Sequence, residues 1–396
     1  MKITKVDVFR LHSSNNKINS PIGCRIFTDE GIYGDGEAGM AYGIGGTAAF
    51  GMVCDLAELV IGMNPMDTER IWEKLHKSTF WGQNGGPVIF SGIAAIDVAL
   101  WDIKGKYFNV PCYVLLGGKV RDKLRTYASQ LQFGWGQVGV SEQVWATTPE
   151  TYAANALLAV NEGFDAIKID FFDRDEEGKK LNSLDQTGML SPRMLNMVEA
   201  RIAAVRAAIG PDVDIIMENH SYPDALGAVQ LGKIAEKYNI WAFEEPNTPT
   251  IKTSEYITKN LSVPIANGER LFTRWQYAPY FEKNLIQLIQ PDIGNCGGVT
   301  EVKKICDLAY IYDVAVQVHV AGSPLATNVA LHLETAIPNF TIHEHHVCNR
   351  MDTSLNLTQY NLQPENGYFT VPELPGFGNE FLQSAIDAAY LRKIIE

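Results

Sequence analysis

The first 120 residues carry two successive patterns of hydrophobic and polar positions. Over residues 1–40, short alternating segments separated by turn residues predict a meander of strands, with IYGDGEA following a turn at Glu30 and Gly31. Over residues 46–120, apolar residues recur at i, i+3 and i+4, which predicts helices. The N-terminal region is therefore predicted to be an α+β unit.

From Leu124 onward, short apolar segments alternate regularly with helical stretches. Eight such segments within about 220 residues are typical of a (β/α)8 barrel, whose active site lies at the carboxyl ends of the strands. The candidate strands are LRTYASQLQ, AIKIDFF, DIIMENH, WAFEEP, PIANGE, LIQLIQPD, VAVQVHV and FTIHEHH. We therefore predict an α/β protein with a capping domain at residues 1–120, a barrel at 121–355 and a C-terminal segment at 356–396 that returns to the cap.

Three consecutive candidate strands each end in a glutamate. Glu218, Glu244 and Glu269 follow one another at intervals of about 25 residues, close to one strand-plus-helix unit. Parallel strands end at the same edge of a barrel, so the three carboxylates would meet at one mouth. Oxygen ligands on rigid strands are suited to Mg²⁺, and we predict a metal site here. The alternative for any one of them is a surface glutamate at a helix start.

Two strands place further ionisable side chains near this mouth. His220 lies two residues past Glu218, so on a strand both would face the same way. We predict an acid–base role for His220, with a buried structural histidine or a fourth metal ligand as alternatives. Lys168 and Asp170 have the same spacing on the second strand. Lys168 could steady a substrate carboxylate or an oxyanion, or the two could simply neutralise each other.

The last three strands contribute a candidate base. Asp292 and His319 end the sixth and seventh strands, where the carboxylate would orient the imidazole as in a base-plus-orienter pair. A structural histidine is the alternative for His319 taken alone. Glu344, on the eighth strand, is a candidate hydrogen-bonding partner for an oxyanion.

A glycine-rich motif occurs near the N-terminus. GDGEAG, residues 34–39, formally matches the GxGxxG pattern of dinucleotide-binding folds. Here the motif follows a strand meander instead of opening a helix within a βαβ unit. We interpret it as a turn and expect no dinucleotide.

Composition and charge limit the classes of partner and the cellular location that can be expected. The net charge of −13 argues against nucleic acid or an anionic membrane as a partner. The sequence contains no run of 18 apolar residues, so no membrane span is predicted. The N-terminus lacks the apolar core of a signal peptide. The six scattered cysteines, without a CxxC motif, indicate reduced thiols in a cytoplasmic protein. For an anionic substrate, this acidic chain would need a local cation such as a divalent metal.

Taken together, these motifs resemble the enolase superfamily, specifically its mandelate racemase-like subgroup, over essentially the whole chain. The matching segments are GDGEA, SGIAAIDVALWDIKGK with VPCYVLLGG, EEP, NGER, QPDIGNCGG and the HV segment of the seventh strand. The resemblance implies a modified TIM barrel under an α+β cap, with Mg²⁺ bound by the three glutamates. It further implies that His319, oriented by Asp292, removes the proton α to a carboxylate to give a metal-stabilised enediolate, with Glu344 as the oxyanion partner.

Two departures from the subgroup narrow the implied activity. Racemases of this subgroup carry Lys-x-Lys on the second strand, whereas here Asp170 replaces the second lysine. His220 stands where racemase-like members have asparagine, and it resembles the histidine that assists loss of the 3-hydroxyl in galactonate and mannonate dehydratases. GERLFTRW is also similar to galactonate dehydratase, although those relatives more often use aspartate at the position of Glu218.

The resulting hypothesis is a cytoplasmic, Mg²⁺-dependent hydro-lyase acting on an aldonate such as a galactonate, gluconate or mannonate. Removal of the C2 proton and loss of the 3-hydroxyl would give a 2-keto-3-deoxy acid. One alternative is a racemase or epimerase that uses Asp170 or Lys168 as its second base. Another is a catalytically silent sugar-acid-binding homologue.

Several segments are candidate determinants of specificity. They are residues 13–20, residues 41–46, Gln130, Gln132 and the long polar loop after Asp170. That loop is interpreted as a lid, an oligomer contact or a disordered surface loop. The partners expected are a small-molecule sugar acid and further copies of the same chain in a homo-oligomer.

Overall fold

The protein consists of an antiparallel sheet with helices and a larger parallel sheet with helices, in a computed structural model that describes residues 1–11, 20–139 and 145–396. The strands are β1 (Ile3–Arg10), β2 (Ile22–Thr28), β3 (Tyr33–Ala38), β4 (Leu124–Ser129), β5 (Ala166–Asp170), β6 (Asp214–Glu218), β7 (Ala242–Glu244), β8 (Ile265–Asn267), β9 (Leu288–Ile289), β10 (Ala315–Val316), β11 (His343–His346), β12 (Tyr368–Phe369) and β13 (Leu391–Ile395). The helices are α1 (Gly46–Val60), α2 (Thr68–Ser78), α3 (Pro87–Phe108), α4 (Cys112–Leu115), α5 (Pro149–Asn161), α6 (Pro192–Ile209), α7 (Ala225–Lys237), α8 (Ile251–Asn260), α9 (Thr273–Glu282), α10 (Val299–Ile311), α11 (Pro324–Ala336), α12 (Asp352–Leu355) and α13 (Gln383–Asp387).

The antiparallel sheet joins the two ends of the chain. Its strand order is β13-β1-β2-β3, and β13 pairs antiparallel with β1, with Val6 opposite Ile395. Apolar side chains of β1 and β2 pack with those of α1 and α3 in one buried cluster. The chain's C-terminus thus returns to the N-terminal sheet, and the boundaries at residues 120 and 355 stay a prediction.

The expected turn at GDGEAG is instead a strand. Residues Tyr33–Ala38 form β3, with Gly36 opposite Cys24 of β2. A Cβ atom on Gly34 would lie 2.2 Å from the carbonyl oxygen of Ala99, and one on Gly36 would lie 1.9 Å from that of Ala95. The glycines therefore allow β3 to lie directly against the backbone of α3, which a side chain would prevent.

The parallel sheet closes into a barrel. Its strands run in the order β10-β9-β8-β7-β6-β5-β4-β11, and every neighbouring pair is parallel. Val316 joins the two edges, since its amide donates to Asn339 O at 2.8 Å and its carbonyl accepts from Thr341 N at 2.9 Å. Helices α5 to α11 alternate with these eight strands, whereas β11 is followed by a 3-10 helix at Val347–Arg350 and the four-residue helix α12. The predicted modified (β/α)8 fold with an α+β cap is confirmed.

The long loop after β5 is anchored by a buried arginine. Arg201 on α6 is fully buried and donates hydrogen bonds of 2.8 to 3.0 Å to four backbone carbonyls. The accepting residues are Phe171, Arg174, Asp175 and Thr147. The loop also contains a short 3-10 helix at Ser183–Gln186, so it is a folded part of the barrel mouth.

Two further expectations concern the chain as a whole. Within the described ranges, no helix is long and apolar enough to cross a membrane. All six cysteines lie in described segments and none forms a disulfide, in agreement with the prediction from their spacing. The cytoplasmic location and the homo-oligomer stay predictions.

Replacing Gly36 with alanine is expected to lower the midpoint of thermal unfolding. The new Cβ would meet the Ala95 carbonyl oxygen at 1.9 Å, so β3 and α3 would have to separate, and overpacking of this kind costs about 1–3 kcal/mol. Gly51→Ala in α1 is the matched control, because no atom lies within 4 Å of the place its new methyl group would take and alanine favours helix. Calorimetry measures both variants, and equal midpoints would contradict this packing role.

Candidate metal centre and active site

Three glutamates converge at the carboxyl ends of adjacent strands. Strand register aligns Asp170 with Glu218 and Glu218 with Glu244, while Glu269 lies two residues beyond β8. One carboxylate oxygen from each of Glu218, Glu244 and Glu269 lies within 4.8 Å of the others. The structure therefore brings together the three acids that the sequence singled out.

The chemistry of this cluster fits a divalent cation with a preference for oxygen. Glu218 and Glu244 are each 1% exposed, and Glu244 Oε2 has no hydrogen-bond partner among the described residues. Burial and the neighbouring Glu218 and Glu344 raise the pKa of Glu244 to about 8, although Lys168 opposes the shift. Because buried carboxylates need compensating positive charge, a hard dication such as Mg²⁺ suits this donor set.

His319 and Asp292 form one imidazole–carboxylate pair beside the cluster. His319 Nδ1 lies 2.7 Å from Asp292 Oδ2, and its Nε2 lies 3.0 Å from Glu269 Oε2. A parallel backbone bridge joins the same two residues across the ends of β9 and β10. Burial alone would lower the pKa of His319, but Glu269, Glu344 and Asp292 raise it well above its usual value. The predicted orientation of the imidazole by Asp292 is present in the structure.

His220 and Asp170 form a second pair of the same kind. His220 Nδ1 lies 2.7 Å from Asp170 Oδ2, and Nε2 lies 3.1 Å from Glu218 Oε1. Strand β6 ends at Glu218, and His220 has a left-handed φ of 47°, so strand alternation does not explain its position. Although burial opposes it, Glu218 and Asp170 raise the pKa of His220 to about 10. Sequence reasoning placed His220 at the mouth but did not identify Asp170 as its partner.

Lys168 lies among glutamates and not beside Asp170. Its Nζ atom is 2.6 Å from Glu244 Oε1, 2.9 Å from Glu344 Oε1 and 3.5 Å from Glu218 Oε2, and the residue is fully buried. Burial would lower the pKa of Lys168, but these carboxylates raise it well above its usual value. Lys168 is therefore a fixed positive charge beneath the cluster.

Glu344 is held as a carboxylate at the same place. It accepts hydrogen bonds from Ser129 Oγ at 2.7 Å and from Val320 N at 2.9 Å. Burial raises the pKa of Glu344, but Lys168 and His319 outweigh it and lower the pKa below its usual range. In this arrangement both carboxylate oxygens of Glu344 accept hydrogen bonds.

The candidate specificity residues fall into different surroundings. Gln130 Nε2 donates to Glu218 Oε2 at 2.5 Å, and Gln132 in turn contacts Gln130. These two amides therefore orient a cluster carboxylate. Of residues 41–46, Tyr42 and Ile44 are exposed, whereas residues 13–19 lie outside the described part of the chain.

Sequence reasoning missed a second ion-pair system at the mouth. Arg270 Nη1 contacts the carboxylates of both Glu245 and Glu269. Glu245 is fully buried, and burial together with Glu269 raises its pKa to about 7, although Arg270 opposes the shift. Arg270 and Glu245 each directly follow a cluster glutamate in the chain, and the pairs Glu-Glu and Glu-Arg were the signal available in the sequence.

Individual relatives are similar over nearly the whole chain. D-galactonate dehydratase of Ralstonia nicotianae is 32% identical over 385 residues, covering 96% of this chain and 91% of the relative. D-xylonate dehydratase of Haloferax volcanii is 30% identical, covering 92% of this chain and 84% of the relative. A crystal structure of a member of the enolase superfamily from Salmonella Typhimurium superposes with a TM-score of 0.96 at 46% identity, with full coverage of both chains.

Family models account for both parts of the molecule. The model described as "Enolase C-terminal domain-like" matches residues 151–385. The model described as "Mandelate racemase / muconate lactonizing enzyme, N-terminal domain" matches residues 14–117. These matches confirm the resemblance inferred from the motifs, and the chain belongs to the mandelate racemase/muconate lactonizing enzyme group of the enolase superfamily.

Proposed function

We propose that this protein is a Mg²⁺-dependent dehydratase of an aldonic acid. The observation that carries the proposal is a pair of His–Asp couples that contact two different members of a three-glutamate cluster. The names of the curated relatives support the coarser assignment, a hydro-lyase acting on sugar acids. This agrees with the enzyme class predicted from the sequence.

Proton removal from C2 is assigned to His319. Its Nδ1 is held by Asp292 at 2.7 Å, and its Nε2 lies 3.0 Å from Glu269 Oε2, so Nε2 is the nitrogen that faces the glutamate cluster and a substrate bound there. In the proposed reaction Nε2 accepts the C2 proton, and Asp292 stabilises the imidazolium that results. When bound, Mg²⁺ would polarise the substrate carboxylate and offset the charge of Glu218, Glu244 and Glu269. It would thereby oppose the largest charge effect that raises the pKa of His319, which is that of Glu269.

Departure of the 3-hydroxyl is assigned to His220. Asp170 holds its Nδ1 at 2.7 Å, and its Nε2, which lies 3.1 Å from Glu218 Oε1, faces the cluster and would donate a proton to the leaving oxygen. The C3–O bond breaks as the electron pair left at C2 forms the C2–C3 double bond, and water is released. The resulting enol tautomerises to the 2-keto-3-deoxy acid, so atoms and charge balance without a further reactant.

Lys168 is assigned an electrostatic role in this reaction. It is fully buried within 3.5 Å of three glutamates, so its charge compensates the cluster instead of remaining free for the substrate. Glu344 fixes Lys168 at 2.9 Å and is held by Ser129 and Val320. We therefore assign Lys168 and Glu344 to electrostatic support of the developing negative charge, with Glu344 acting through Lys168.

A second candidate function is C2 epimerisation, because two His–Asp couples could also act as bases on opposite faces. The sequence offered Asp170 and Lys168 as second bases for that reaction, but both are buried. Asp170 contacts His220, and Lys168 contacts glutamates. The epimerase would therefore use His220 and His319. Dehydration is favoured by the curated relatives, whose names specify dehydratases of two different sugar acids.

Wild-type protein incubated with Mg²⁺ and a library of aldonic and aldaric acids is expected to give a 2-keto-3-deoxy product from at least one aldonic acid. The product is detected as its semicarbazone, and the same mixtures in D₂O are followed by proton NMR. An inverted C2 centre without loss of water would favour the epimerase. A stable complex with neither exchange nor turnover would favour the silent binding homologue.

Replacing Glu244 with glutamine is expected to weaken Mg²⁺ binding by about 100-fold or more, because one of three charged oxygen ligands becomes neutral. Titration calorimetry measures the affinity directly, and the rise in unfolding midpoint with added Mg²⁺ provides a second readout. Glu301→Gln is the matched control, since Glu301 is also fully buried but lies on α10 outside the cluster. Equal Mg²⁺ affinity in both variants would contradict the metal assignment.

Variants that lack one of the two histidines are expected to lose different steps of the reaction. His220→Asn should retain exchange of the C2 proton in D₂O but lose dehydration, because the base is intact while the acid is absent. His319→Asn should lose both by about 10²–10⁴-fold, the usual contribution of a general base. Exchange and product are measured in one NMR experiment on each variant. Full dehydration by His319→Asn would overturn the assignment of the base.

A further inference from the structure

Strand β3 of the cap contacts the two loops that carry the His319–Asp292 pair. Gly39 N, just after β3, donates to Gly294 O at 2.5 Å. Gly294 N in turn donates to Asp292 Oδ1 at 2.7 Å, on the carboxylate whose other oxygen meets His319. One hydrogen-bonded chain therefore runs from the cap to the imidazole.

A second contact between the same elements involves a buried carboxylate. Glu37 on β3 is 5% exposed and accepts hydrogen bonds from Ser323 N at 2.9 Å and from Ser323 Oγ. Ser323 is the N-cap of α11 and follows closely on His319, so this contact holds the far end of the loop that begins at the imidazole. A Cβ on Gly322 would lie 2.9 Å from Glu37 Oε1, so Glu37 lies directly against the loop backbone.

A small cavity borders this loop. A cavity of about 30 Å³ lies between the cap and the barrel, lined by Glu37, Asp292, His319 and the apolar side chains of Val98 and Val329. The space could hold about one water molecule, so hydrogen bonds from the cap add to the side-chain packing that holds the loop. Glu37 accepts two such bonds through its two carboxyl oxygens.

We propose that Glu37 is a positioning residue that sets the placement of the His319–Asp292 pair by reaching from the cap to Ser323. The inference rests on the proposed role of His319 as the base, since Glu37 touches neither the glutamate cluster nor the reacting atoms. The contact with Ser323 depends on the length of the Glu37 side chain, because it is made by the two terminal oxygens.

Two conservative variants separate the reach of the side chain from its carboxyl group. Glu37→Asp keeps the carboxyl group but withdraws it by about one carbon–carbon bond, roughly 1.5 Å, so the bonds to Ser323 cannot both form. Glu37→Gln keeps the length, with an oxygen that can accept from Ser323 N and an amide that can donate to Ser323 Oγ. Both substitutions are close in volume to glutamate, which limits any loss of folding.

The test uses diethyl pyrocarbonate labelling of the Mg²⁺-loaded protein, with the rate at each histidine read by peptide mass spectrometry. Glu37→Asp is expected to raise the labelling rate of His319 by about fivefold, because the imidazole is less firmly held. His220 is the internal control, since it lies at the same mouth but is held by Asp170. Glu37→Gln is expected to restore the wild-type rate at His319.

Kinetics with the acid identified in the library provide the second readout. Glu37→Asp is expected to lower kcat about tenfold with KM and Mg²⁺ affinity within about twofold, because misplacement of a base acts on the chemical step. An unchanged His319 rate in Glu37→Asp, an equal rise at His220, or the same change in Glu37→Gln would each overturn the proposal. If no acid is turned over, the proposed function fails, while the labelling experiment still decides the role of Glu37.

Discussion

Buried negative charge at the barrel mouth is the constraint on which the arrangement of this site depends. Glu218, Glu244 and Glu344 are almost fully inaccessible to solvent and lie around one lysine, Lys168. Such a set is costly unless positive charge is held among its members. Lys168 supplies part of it, and a metal ion bound by the glutamates would add to it. Each proposed role in the reaction follows from the position of one of these groups relative to the carboxylates.

The barrel and the glutamate cluster could be predicted because both follow from local, periodic signals. An apolar segment that ends in Glu218, Glu244 or Glu269 has a fixed direction in a parallel barrel, and register then brings neighbouring ends together. The pairing of Asp292 with His319 followed from the same geometry. The prediction needed only strand order and strand direction.

What the sequence did not reveal depends on backbone conformation and on contacts between distant segments. His220 lies beyond β6 with a left-handed φ, so its pairing with Asp170 could not be read from strand alternation. GDGEAG was interpreted as a turn because it follows the strand meander instead of opening a helix in a βαβ unit, yet its glycines permit close packing of β3 on α3. The contact of Glu37 with Ser323 joins residues that are 286 positions apart, and no local pattern indicates it.

In the proposed enzyme, three glutamates hold a divalent ion between two His–Asp couples that divide the acid–base work. The most direct measurement is the position of Mn²⁺, as a substitute for Mg²⁺, in an anomalous difference map from a soaked crystal. We expect one peak in contact with an oxygen of Glu218, Glu244 and Glu269, at about 2.0–2.3 Å, with no histidine nitrogen bound. A peak coordinated by His220 or His319, or one that leaves out any of the three glutamates, would contradict this assignment.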